Sequence, residues 1–113
     1  MKIKMLDGSD LELVNSFRVL LYFEQMSGHS IDLQSFTPND IILLFYAMTI
    51  ASLQKARKDV ISLLDFYDVI DNNGGEKCIL DFSNFYVDII KKQSEALQNL
   101  DVEEDEEDGS KKK

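Results

Sequence analysis

The sequence predicts a mostly α fold with a small β element: an N-terminal β-hairpin, about four helices, and a disordered acidic C-terminal tail. Three observations carry this. Thr37 to Leu53 (TPNDIILLFYAMTIASL) is the longest apolar stretch, and its apolar side chains point in nearly every direction, the pattern of a helix buried on most sides. Two short alternating runs flank a turn-forming Asp7-Gly8-Ser9-Asp10 near the N-terminus. Seven of the acids lie between Asp101 and Asp108, a like-charged run that repels itself and resists packing. The expected organisation is one compact domain over residues 1–100, followed by a tail over 101–113.

In the hairpin, Ile3 and Met5 share one side of Lys2 to Leu6, while Leu11 and Leu13 share one side of Leu11 to Val14. An isolated hairpin is marginal in water, so that apolar side must pack on the helices that follow. Asn15 caps the expected first helix, Ser16 to Met26, whose apolar face carries Phe17, Leu20 and Leu21, with Phe23 nearby. Gly28 suits its left-handed end. Ser27 to Phe36 then reads as a loop anchored by Ile31, Leu33 and Phe36. Thr37 is the expected N-cap of the central helix, with Pro38 at the first helical position and Asp40 completing a capping box. A third helix is expected over Asp59 to Ile70, with Val60, Leu63, Leu64 and Tyr67 on one face that Ile61, Phe66 and Ile70 broaden. Asp71-Asn72-Asn73-Gly74-Gly75 stops it. Glu76 to Leu80 reads as a short extended piece, and Asp81 as the cap of a fourth helix reaching about Leu100.

Charge narrows the function. The chain has 21 acidic and 12 basic residues, a net of −9. Without the tail the body holds 14 acids against 9 basic residues, or −5. An acidic body argues against a nucleic-acid partner, whose binders show a clustered basic footprint. Lys55, Arg57 and Lys58 are the one basic cluster of the body and read as a solvated helix end or turn. Thr49 and Ser52 break the central run, which is also too short for a membrane span of roughly 20 apolar residues. MKIKMLDGSD has no apolar core of a secretory signal, and the single Cys78 permits no intramolecular disulfide. A protein of the cytoplasm is expected.

Catalytic templates fail. His29 and Cys78 are the only residues of their kinds, too few for a zinc site, and nothing in their spacing suggests a nucleophile pair. With Asp71 as first ligand, an EF-hand loop would place Gly75 where a ligand belongs and Glu76 where glycine belongs. No phosphate-binding glycine pattern occurs. The expectation is a protein that is not an enzyme and takes no cofactor or metal. What remains is aromatic: Phe45, Tyr46, Phe66, Tyr67, Phe82, Phe85 and Tyr86 are core residues or, in the sharper reading, part of an apolar surface for a partner. Two possibilities stay open for the central helix. Either the fold wraps it, or the face around Phe45, Tyr46 and Thr49 stays accessible to a subunit or client.

A resemblance adds to this. A hairpin leads to a helix ending Phe23-Glu24-Gln25-Met26-Ser27-Gly28-His29-Ser30-Ile31, then to Asp40-Ile41-Ile42-Leu43-Leu44-Phe45-Tyr46-Ala47, then to Ser62-Leu63-Leu64-Asp65-Phe66. Over about residues 1–90 this order resembles the tail assembly chaperones of long-tailed bacteriophages, with Met26-Ser27 where a threonine before the glycine is more usual. The resemblance implies a partner, the hydrophobic tape measure protein, kept soluble while the tail tube polymerises. It also implies action in the bacterial host cytoplasm and absence from the finished virion. Self-association is a further possibility. A small structural head or tail component, or an acidic regulatory module, is the alternative.

Overall fold

In a computed structural model the chain is a two-stranded hairpin followed by four α-helices, the mostly α architecture expected. The structure describes residues 1–112, with side-chain placement for 1–32 and 34–97. The elements are β1 (Lys2–Lys4), β2 (Asp10–Glu12), α1 (Phe17–Ser27), a 3₁₀ turn (Leu33–Ser35), α2 (Pro38–Lys55), α3 (Leu63–Asn72) and α4 (Glu76–Lys112). Two compact units divide the chain, Met1–Ser83 and Asn84–Lys113, so the body expected over 1–100 spans both. The tail expected to be disordered, 101–113, lies outside the described side chains, as does the expected anchor Leu33.

The strands pair antiparallel with Ile3 opposite Leu11 and Lys4 opposite Asp10. The turn works as its sequence implies. The Asp7 carboxylate accepts from the Ser9 backbone N–H at 2.9 Å and from the Ser9 hydroxyl at 2.6 Å, and these bonds hold its pKa below the ordinary carboxylate value. Ile3, Met5, Leu11 and Leu13 are all buried, as alternation requires. β2 lies against α2 and β1 against α3. At the strand end, the Val14 N–H donates to the Ser52 hydroxyl at 2.9 Å, which explains a serine buried on the apolar α2.

α2 begins as predicted. Thr37 accepts from the Asp40 N–H, and Asp40 Oδ2 accepts from the Thr37 N–H, both at 3.1 Å. Pro38 occupies the first turn. Leu43, Leu44, Phe45, Ala47, Met48, Thr49, Ala51 and Leu53 are all buried, so the fold wraps the helix around Phe45 and Thr49. Thr49 satisfies its hydroxyl by donating to the Phe45 carbonyl at 2.8 Å.

Three helix starts differ from expectation. α1 starts at Phe17, with Ser16 rather than Asn15 at the N-cap position and no side-chain capping bond from it, and ends where Gly28 takes φ 82° and donates to the Glu24 carbonyl. α3 starts at Leu63, not Asp59, because Ser62 accepts from the Asp65 N–H at 3.1 Å and so caps it. Residues 76–80 are helical, not extended. Gly74 and Gly75 at φ 108° and 63° reverse the chain, and α4 starts directly behind them with Glu76 favourably placed in its first turn. Asp81 therefore lies inside a helix rather than capping one.

Asn73 fastens the hairpin to α3. Its side-chain amide donates to the Lys4 carbonyl at 2.8 Å, and its carbonyl accepts from the Lys4 N–H at 2.9 Å, as a neighbouring strand would. Asn73→Ala removes both bonds, and the amide's third bond to the Val69 carbonyl at 2.7 Å, at a half-exposed site, and a urea titration should show a loss of about 1–2 kcal/mol. An unchanged midpoint would mean that water replaces the amide without cost.

Candidate partner surface and the His29–Asp40 clasp

The seven aromatic residues singled out in the sequence do not form one surface. Phe45, Phe66 and Phe82 are fully buried. The Phe45 ring stacks parallel on Phe82 at 4.4 Å and meets Phe66 edge-on at 5.0 Å. They are core residues of the Met1–Ser83 unit, not an open face. Tyr46 is half-buried, lies 5.3 Å from the Phe66 ring, and donates its hydroxyl to the Ile61 carbonyl at 2.6 Å. Burial pushes its phenol pKa up. Tyr67 is 38% exposed and is the member of the set most open to a partner. In the Asn84–Lys113 unit, Phe85 is half-buried, and Tyr86 is buried with its pKa raised by that burial.

Apolar side chains face outward on the hairpin turn at Leu6, on α1, around α3, and on α4 at Leu80, Val87 and Leu97. Phe17 is 90% exposed, Leu20 41% and Leu21 51%, at helical spacings of three and four. α1 instead turns Val19 and Phe23 inward against α2. The inward face of α1 is thus rotated from the one the sequence suggests. One signal marks the true outside: Glu24 continues the Phe17, Leu20, Leu21 line, and Glu24 is exposed. On α3 the inward residues are Phe66, Val69 and Ile70, of which Phe66 and Ile70 belong to the broad face expected, whereas Leu64 and Tyr67, with Val60 ahead of the helix, face out.

At the foot of this outer face α2 ends in a Schellman turn. Lys58 N–H donates to the Leu53 carbonyl at 2.9 Å, and Arg57 N–H to the Gln54 carbonyl at 3.0 Å. The left-handed position, φ 58°, is occupied by Arg57 where glycine is the usual residue, a strain of about 1–2 kcal/mol. The basic cluster of the sequence is indeed a helix end.

A second arrangement was not visible in the sequence. His29 follows Gly28 and reaches the start of α2, where its Nε2 lies 3.1 Å from Asp40 Oδ1 and its Nδ1 lies 2.8 Å from the Ser30 carbonyl. Both neighbours are acceptors, so both contacts are hydrogen bonds only when each ring nitrogen carries a proton. The Ser30 carbonyl first, then the Asp40 carboxylate, with Asp32 adding, raise the His29 pKa above 6.5. Asp40 is buried and held below 3.8, chiefly by the Thr37 backbone N–H and then by His29. Phe23 packs edge-on to the His29 ring at 5.5 Å and stacks with Phe36 at 5.6 Å, so Phe36 does anchor the loop. The clasp holds chain segments together and has no nucleophile placed on it. Cys78 is buried in α4, where burial first and Asp81 second push its thiol pKa up, the state of a packing residue. Among the described residues no group of three or more His, Cys, Asp or Glu could hold a metal ion, and no helix is long and apolar enough to cross a membrane.

No protein-family model, no curated protein and no solved structure matches this chain.

Two predictions follow from this geometry. Phe45→Ala should destabilise by about 3–5 kcal/mol, as loss of a fully buried ring does, and not merely weaken a partner contact. Chemical denaturation showing under about 1 kcal/mol would return Phe45 to the surface. The second concerns pH. A raised His29 pKa stabilises fully below about 6.5 and its contribution is lost as pH rises through the folded value. A lowered Asp40 pKa stabilises above about 3.8 and its contribution is lost as pH falls through the folded value. The advantage of wild type over His29→Gln should therefore be greatest near about pH 5 and shrink toward about pH 8.5. A flat difference in melting temperature across that range would dissolve the clasp.

Proposed function

We propose that this protein is a tail assembly chaperone of a long-tailed bacteriophage, which binds the hydrophobic tape measure protein and keeps it soluble in the host cytoplasm while the tail tube forms. The observation that carries the reading is the outward apolar line Phe17, Leu20 and Leu21 on a chain of net charge −9. Such a line offers an apolar client segment a place to bury side chains, and like charge keeps the loaded complexes apart. Tyr67 and Leu64 add a second apolar exposure on α3. The segment Phe23 to Ile31, the most specific part of the resemblance, gives further support through its physical role. It closes α1 at Gly28 and fastens the following loop through Phe23 and His29, and so fixes the outward line on the surface. The client is bound by an apolar surface and charge alone, and this role calls on no reactive side chain.

Coexpression with the tape measure protein of the same phage tests this directly. The wild type should hold the client in the soluble fraction. Phe17→Ser with Leu21→Ser removes two exposed side chains, should keep the fold within about 0.5 kcal/mol each, and should lower soluble client roughly tenfold. Client solubility that is indifferent to the protein ends the chaperone reading. Abundant copies in purified virions would favour a structural head or tail component instead.

A further inference from the structure

We propose that the notch beside Phe17 is a docking site for a short acidic segment of a partner protein, one that carries a bulky apolar side chain among its carboxylates. The notch is a cavity of about 530 Å³ at the junction of the α1 start and the α2 end. Phe17, the most exposed of the large apolar side chains described, forms one wall, and Arg18, Gln54, Lys55 and Arg57 line the rest together with Ser16 and Ala51. Three cations and no carboxylate line it, on a chain whose acids outnumber its basic residues by 9. Among the described residues none of these three cations forms an ion pair.

Two details show that this charge is positioned. Gln54 Oε1 accepts from Arg18 Nη1 at 3.1 Å and from the Tyr22 hydroxyl at 2.7 Å, which holds one guanidinium at the rim. Arg57 sits at φ 58°, where the backbone favours glycine, so the local chain conformation is set against the residue that supplies the charge. An acidic segment answers both halves of the notch. Its carboxylates meet the guanidinium and ammonium groups, with the planar fork of arginine suited to bidentate contact. Its apolar side chain covers Phe17, which is otherwise left in water. A nucleic acid fits less well. Three cations neutralise few phosphates, and the net negative field of the chain opposes a long polyanion more than a short peptide. Binding through exposed charges and one ring is expected to be weak, in roughly the micromolar to millimolar range.

The inference shares Phe17 with the chaperone reading but is tested apart from it, because the probe contains no tape measure sequence and Arg57 has no part in that reading. A fluorescein-labelled peptide of alternating aspartate and serine with a central phenylalanine is titrated with the full-length protein and followed by anisotropy. The expected result is saturable binding that weakens roughly tenfold in Phe17→Ser and in Arg57→Gly. The same loss should follow when asparagine replaces aspartate in the peptide, and added salt should weaken binding. Arg57→Gly also separates binding from folding. Glycine fits the left-handed position, so the variant should melt higher than wild type while binding less well. No saturation at millimolar protein, or equal affinity in wild type and both variants, overturns the proposal. A single-stranded oligonucleotide bound more tightly than the peptide, and lost in the same variants, overturns it in favour of nucleic acid. A concentration-dependent dimer in sedimentation, abolished by Phe17→Ser, assigns the notch to a second copy and likewise overturns it.

Discussion

The Phe45 ring is the constraint on which the Met1–Ser83 unit depends. It is completely buried, lies parallel to Phe82 at 4.4 Å and takes the edge of Phe66 at 5.0 Å, so three helices converge on one side chain of α2. Aromatic pairs contribute beyond the area they remove from water, and their preferred geometries leave little freedom to slide. With those rings in register, α3 cannot rotate without withdrawing Phe66, and the first turns of α4 cannot shift without withdrawing Phe82. The apolar circumference of α2 follows from the same demand. α1 turns Val19 and Phe23 against it, and the hairpin supplies Leu11 on β2 and Leu13 just past its end.

Much of this framework was legible in the sequence wherever the deciding interaction is local. The Thr37–Asp40 capping box, the left-handed Gly28 and the Asp7–Ser9 turn each depend on residues at most four apart. What the sequence did not reveal was decided by packing at a distance. α1 carries apolar side chains at Val19, Leu20, Leu21, Tyr22 and Phe23, so its inward face is ambiguous until α2 selects one. α3 has the same ambiguity, with Leu63, Leu64 and Phe66, Tyr67 as adjacent pairs. The start of α4 misled for another reason. Residues 76–80 look extended by composition, yet Gly74 and Gly75 can make the whole reversal themselves and leave Glu76 free to begin a helix at once.

The candidate site was legible only in outline. An apolar surface was inferred from aromatic abundance, and the fold spends Phe45, Phe66 and Phe82 on its interior. The residues left outside include Phe17, Leu20 and Leu21 on α1, with Leu64 and Tyr67 on α3. Abundance cannot distinguish these groups, because burial is a property of the helix face and the face is set by the partner helix. The Arg57 position was equally hidden. Its composition reads as a solvated turn, and only the backbone shows an arginine in a conformation that glycine would hold more cheaply.

Asp40 joins the two scales. One carboxylate oxygen completes the cap that starts α2, and the other accepts from His29 in the turn that ends α1. The group therefore ties the beginning of the central helix to the end of the preceding one across the intervening loop. Phe23 makes the same connection with apolar atoms, through its contacts with His29 and Phe36. A helix anchored at its end by both kinds of contact has a defined rotation about its own axis. That rotation puts Val19 and Phe23 inside, and by the same geometry it must leave Phe17, Leu20 and Leu21 outside. The outward apolar line is thus the other side of a choice that the core makes, and any partner that reads it reads the packing of α1 on α2.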